Sequence, residues 1–469
     1  MKKILLSAAA VAIAVALVGP KVVGSNFSSS IENTVATINS NPAYKASITN
    51  IESGWFSTHA LVNVGIQLPD MAELGQPAVD MSVDVMVHGD HGPIVMTNNG
   101  VSLAWLHTQL VTQTNTLPEG LSVDNDTPIY QLMAVTPIVG VTEYSDAVAA
   151  MEYVDAETQT TVSFSGMKGQ GSLSSASYQG SSNGSSLNIN VADALLFDMQ
   201  NFEIGISAEV SLADMMQQGL YDSSSLMGIE SMTVTNNLEG SETRINTVLL
   251  NAVSTLDESV GTGNVAATTT VASVDANGTM LSDLLVNFEL NNLEQAFLKA
   301  YQEFSSNMMD YASDTNKVAE ATQQFLQNNL LSQLQKEPEY NITEFSGKIN
   351  DSEFTGKALA KLTGINALPT TLEDPAFWMQ HTNVDSKLSM QTAAAEFVVT
   401  QVLLTQLSGN PNFANLDAEQ QAEVLQQQVG PTLEGLVLQG MLVKTDTGYE
   451  ISFTLENSAA ALNGTPIPL

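Results

Sequence analysis

The chain has 469 residues, 43% of them apolar, enough to bury a sizeable core. Its 50 Asp and Glu face only 14 Lys and Arg, giving a formal charge of −36, and cysteine is absent. A chain this acidic repels phosphate, which argues against nucleic acid as a partner, and the missing thiol excludes disulfide scaffolds, cysteine nucleophiles, Cys-ligated zinc and iron–sulfur centres.

Lys2 and Lys3 precede Ile4–Val18, an uncharged run rich in Ala, Val, Ile and Leu, and Gly19-Pro20-Lys21 breaks it. A basic start, an apolar stretch and small residues after it form an export signal. Two cleavage points fit, Ala14-Val15-Ala16 and Val22-Val23-Gly24. An uncleaved anchor over residues 4–24 fits as well, since a spanning helix needs about 20 residues. Either way the two Lys stay in the cytoplasm and the remainder is expected in the periplasm. The acidity reads first as a solvated surface tuned for solubility; the sharper reading is exclusion from anionic headgroups, which would leave membrane contact to this segment alone.

Residues 25–50 read as a short helical and polar lead-in, with Ile31, Val35 and Ile38 at helical spacing. From 51 to 291 the period changes to two. Val79, Met81, Val83, Val85 and Val87 alternate with Asp80, Ser82, Asp84, Met86 and His88, the cleanest half-buried strand. Asn99-Gly100 marks a hairpin turn, because both central positions of that turn need positive φ. The Ser- and Gly-rich tract 158–191 alternates like a sheet with one wet face, with Asn183-Gly184 between its two clearest segments. A further hairpin is expected at Asn277-Gly278.

Residues 292–469 mix helices with strands. An apolar stripe over Leu293–Tyr311, capped by Asn292, and a second helix from Val318 form one pair, spanning 293–334. A second pair spans 392–439, its later member capped by Asp417 and kinked at Gly430-Pro431. Strands lie between the pairs, and turns follow at Asp446-Thr447-Gly448 and Asn463-Gly464. The pattern predicts an α+β, β-rich fold: a large antiparallel, meander-like sheet with two pairs of amphipathic helices packed on it.

Candidate chemistry is thin. His88 and His91 flank Asp90, and Asp84 lies four residues before His88 on the same strand face. Imidazole and carboxylate can hold a metal, but this spacing matches no standard signature, and a strand end followed by a turn is the simpler reading. Gly180-Ser181-Ser182-Asn183-Gly184 fits G-x-S-x-G yet lacks a following helix, so a Ser/Gly turn is expected there. Gly261–Ala266 fits a relaxed dinucleotide pattern with no helix after it. Catalytic residues, a metal and a cofactor are therefore not expected. Trp55, Phe56, Trp105, Phe377 and Trp378 are core aromatics or the floor of an acyl groove.

The landmarks in order are the lysine-led apolar segment, Gly54-Trp55-Phe56-Ser57-Thr58, His91-Gly92-Pro93, Val384-Asp385-Ser386-Lys387-Leu388 and Leu462-Asn463-Gly464. In these the chain resembles the YdgA-like family of Gram-negative envelope proteins, a domain of unknown function, though it is far more acidic. The resemblance implies a protein tethered at the inner membrane, self-associating as a homodimer, and implies no reaction. The expectation is a non-enzymatic interaction or scaffold protein with envelope proteins as partners. The rival is a β-groove module carrying lipid or another amphiphile.

Overall fold

The computed structural model describes residues 2–39, 43–68, 79–97, 100–112, 120–123, 127–215, 217–308 and 314–468, with side chains in the first helix described from Val18 onward. The chain is β-rich and forms two compact units, Met1–Ser223 with Leu298–Gln327, and Ser224–Phe297 with Asn328–Leu469. The sequence boundary at 291/292 falls inside the second.

The first unit opens with helix α1 (Lys2–Ile38). At Gly19-Pro20-Lys21, where the apolar run ends, α1 continues through Pro20, whose side chain is fully buried. Proline lacks one donor and clashes with the preceding turn, so packing must offset that cost. The expected lead-in to residue 50 ends early, because strand β1 (Tyr44–Ser53) already pairs with β2 (Ser57–Leu68). Then come β3 (Val79–His91), β4 (Ile94–Thr97), β5 (Gly100–Thr112), β6 (Leu121–Val123), β7 (Tyr130–Pro137) and β8 (Thr142–Val148). β9 (Met151–Asp155), β10 (Thr160–Phe164), β11 (Met167–Leu173), β12 (Tyr178–Val191), β13 (Leu195–Ala208) and the short α2 (Leu212–Met215) follow. All described pairings are antiparallel, in the order β1-β2-β3-β5-β7-β8-β11-β12-β13. The far half of β12 pairs instead with β10, which leads on to β9 and β6.

The β4–β5 hairpin forms with Thr97 opposite Gly100, whose φ is +105°; Asn98 and the predicted turn residue Asn99 lie outside the described residues. Asn183-Gly184 is not a turn. Both residues sit inside β12, where Gly184 lies under the Phe202 ring so closely that a Cβ would come within 2.1 Å of it. The same placement puts the G-x-S-x-G match in mid-strand, so neither a nucleophile elbow nor the expected Ser/Gly turn exists there.

Helices α3 (Gln295–Met308) and α4 (Thr315–Leu334) lie mostly in the first unit, with Phe304 stacked on Phe325 at 4.7 Å. Asn292 does not cap α3. It lies within the preceding strand, two residues before its end at Glu294, with φ +61°, and its side chain donates to the Glu337 carbonyl. The adjacent Glu294 N–H is satisfied by Gln333 Oε1 at 2.8 Å.

The second unit contains β14 (Ser223–Asn236), β15 (Ser241–Asp257), β16 (Thr262–Ala276), β17 (Thr279–Glu294), β18 (Glu339–Ile349), β19 (Ser352–Leu362), α5 (Pro375–His381) and β20 (Thr382–Gln391). α6 (Thr392–Ser408), α7 (Pro411–Ala414), α8 (Ala418–Leu438), β21 (Val443–Lys444), β22 (Gly448–Glu456), β23 (Ala459–Leu462) and β24 (Thr465–Ile467) complete it. From β15 to β20 each strand pairs antiparallel with the next, and β20 pairs with β22. Two predicted turns form as two-residue loops with both φ positive: Asn277 (+52°) with Gly278 (+86°), and Asn463 (+50°) with Gly464 (+77°). Asp417 caps α8 through a reciprocal box with Gln420. Leu403, Phe413, Leu425, Val429 and Leu433 of the α6–α8 helices cluster with Tyr449 and Met390 of the sheet.

Candidate functional site

His88 and His91 do not share a site. Side chains three apart on a strand point to opposite faces. His88 faces a polar cluster: its Nδ1 lies 3.0 Å from His59 Nδ1 and its Nε2 lies 3.0 Å from Asp90 Oδ1. His107 Nδ1 is 3.4 Å from the other Asp90 oxygen, and Asp84 instead accepts from Asn63 at 2.8 Å. Among the described residues no three of His, Asp or Glu are placed to hold a metal ion.

His91 turns inward, 2% exposed, beneath α1. The helix crosses it at Gly24, where a Cβ would sit 2.4 Å from the imidazole, and the Phe27 ring meets it edge-on at 6.4 Å. Neither ring nitrogen makes a hydrogen bond of good geometry. Burial holds the His91 pKa below its ordinary value, against weaker upward pulls from the Trp55 backbone and the Asp90 charge. His91-Gly92-Pro93 is thus a structural corner. Gly92 donates to the Trp105 carbonyl, and a Cβ there would collide with the Ala104 carbonyl at 1.5 Å.

One groove of about 790 Å³ runs between α1 and the sheet, lined chiefly by Val18, Val22, Val23, Phe27, Trp105 and Leu106. A second grouping joins residues that the sequence pattern did not single out. Tyr144 and Tyr178 stack at 6.3 Å with their hydroxyls 2.8 Å apart, over Gly171 and Gly180. Burial first, then the Tyr178 hydroxyl, pushes the Tyr144 pKa up; burial and the Asp146 charge do the same to Tyr130. The signal was the alternate glycines 169 and 171, spaced to admit side chains from the next strand.

The most extensive feature is in the second unit. The strand register puts apolar residues of seven strands on one face. One row runs Ala252, Ala267, Phe288, Ile342, Ala358, Ser386, Phe453, and a neighbouring row runs Leu250, Thr269, Val286, Phe345, Gly356, Leu388, Ile451. At about 4.8 Å per strand this face is about 29 Å across. The other face is polar: Thr268 donates to Asn287 at 2.7 Å, Asn341 donates to Glu289, and Lys387 pairs with Glu450 at 3.0 Å. Of the two apolar rows only Ala267, 7% exposed, is buried; Phe345 remains 41% exposed. Such a face is as hydrophobic as a core yet left half-open.

A family model described as a bacterial protein of unknown function (DUF945) matches residues 1–469. The chain belongs to that family. This agrees with the YdgA-like resemblance read from its landmarks. No curated relative and no solved structure matches the chain. The landmarks now have places: Gly54–Phe56 joins β1 to β2, Val384–Leu388 lies in β20, and Asn463-Gly464 turns β23 into β24. Among the described residues no helix is long and apolar enough to cross a membrane; the side chains of Ile4 to Leu17 in the expected anchor lie outside them.

Proposed function

We propose that the protein is a non-enzymatic envelope component, tethered by its N-terminal segment, that binds the acyl chains of an amphiphile on the apolar face of the second unit's sheet. The half-open face from β15 to β22 carries this reading. Its central rows offer almost no hydrogen-bonding side chain, and the sheet's backbone is already paired, so hydrocarbon is the partner that costs least to dock. The expected arrangement of helices on the sheet completes the reading, with α6–α8 closing one end. The test is native mass spectrometry of the full chain isolated from membranes under mild detergent. A co-purifying lipid-mass adduct that survives delipidation of control proteins supports the proposal. A bare chain mass after gentle release contradicts it.

A second reading, an interaction scaffold in which a second copy covers this face, is favoured by the exposure of Tyr340 (44%) and Phe345 (41%). It predicts a stable dimer by light scattering, and loss of the dimer in Phe345→Asp. A monomer at all concentrations defeats it.

A further inference from the structure

One end of the first unit differs from the rest of this acidic chain. Three connections meet there: Gly54–Phe56 between β1 and β2, the β4–β5 hairpin beyond His91 and Ala104, and 138–141 between β7 and β8. The hairpin is apolar on its outer face. Val95 points inward at 3% exposure, while the cross-strand pairs Ile94–Leu103 and Met96–Val101 are all 64–70% exposed. Phe56 (60%) and Val139 (89%) extend the same end. No Asp or Glu occurs in 53–68, 91–112 or 131–142, in a chain that carries 50 of them. The next connection along the sheet, Ser174–Ser177, is polar, so the apolar rim stops there.

Helix α1 fixes what this rim meets. Going toward its N-terminus, α1 touches the sheet at Ile31 beside Val87, at Phe27 over Gly89, at Gly24 over His91 and at Gly19 over Trp105. It therefore heads for the same end and continues as the uncharged run Ile4–Val18, about 22 Å of helix. Lys21 of α1 lies between the Gly19 and Gly24 contacts, and Trp55 and Trp105 are amphipathic rings that favour an interface. An apolar, acid-free rim beside an apolar helix in an otherwise anionic molecule fits a bilayer surface, which would repel any other part of the chain.

We infer that this end of the first unit, the β4–β5 hairpin with Phe56 and Val139, lies in the headgroup layer of the membrane as a second contact beside the N-terminal helix. The inference is independent of acyl binding on the second unit. It adds a second contact to the one expected through the N-terminal segment.

The absence of cysteine gives a direct test. Val101→Cys, Val139→Cys and, as a control, the 84%-exposed Leu238→Cys are each labelled with nitrobenzoxadiazole in the full chain. The proteins are reconstituted into vesicles of phosphatidylethanolamine and phosphatidylglycerol. At 101 and 139 the emission shifts to the blue and is quenched by spin-labelled lipid, while at 238 it is quenched only by aqueous iodide. Adding Leu103→Glu to the Val139→Cys protein reverses its blue shift, with circular dichroism confirming the fold. Labels at 101 and 139 as open to iodide as that at 238 would overturn the inference, since α1 alone would then hold the protein.

Discussion

The two ends of the second unit's sheet are built from the same alternation and meet different fates. Around Met390 and Tyr449 residues of the face join a buried cluster with α6–α8, in which Leu433 is 2% exposed. Around Val286, Phe288 and Ile342 the same alternation leaves side chains half-open. A two-residue period makes an apolar face; only a helix laid over it makes a core. Where no described helix of this unit joins such a cluster, the face stays half-open.

The comparison sets the order of expected effects. Leu433→Ala at the clustered end should cost about 2–5 kcal/mol, because a cavity is left in a close-packed cluster. Ile342→Ala in the open region should cost about 1 kcal/mol or less, since less area is withdrawn from water there and no closed cavity results. Urea unfolding of both variants reads this out, and equal losses would mean the open face is packed after all.

Next is the helix seal of the first unit. Gly24→Val drives a branched side chain into His91 and should cost about 1–3 kcal/mol by overpacking. Hydrogen exchange should show β3 amides near His91 losing protection while those of β22 keep theirs.

The Asp417 box at the start of α8 is a smaller device. Asp417→Ala should lower stability by about 1 kcal/mol, seen as a shifted urea midpoint with an unchanged slope.

The last effect is pH dependence. The folded state holds the His91 pKa below the unfolded value of about 6.5, so the unfolded chain binds more protons between those two values. Stability from this group is complete above about pH 6.5 and falls as the solution is acidified below it. His91→Phe should flatten that part of the melting profile, and an unchanged slope would place the pH dependence elsewhere.

Much of this was legible from residues alone. Asn277-Gly278, Asn463-Gly464 and the Asp417 cap each have a local mechanism, and each formed where read. The strands of the polar tract were legible from alternation, but Gly184 was not, because its reason is the Phe202 ring of a neighbouring strand. Asn292 misled for a similar cause: its contacts are Asn264 and Glu337, distant in sequence. Helix continuity through Pro20 depends on burial that no local pattern reports. The separation of His88 from His91 followed from strand period alone and could have been read at once. The apolar rows could not, since a bulge on β18 sets Val286 opposite Phe345 and only the register reveals it.

The most direct measurement of the central claim is titration of the full chain with a fluorescent C16 acyl probe, comparing the native protein with Ala358→Trp on the apolar face and Glu289→Gln on the polar one. Saturable binding that Ala358→Trp abolishes and Glu289→Gln leaves intact is the predicted result, with near-ultraviolet circular dichroism showing both variants folded. Probe binding that is absent in the native chain, or indifferent to Ala358→Trp, would contradict it.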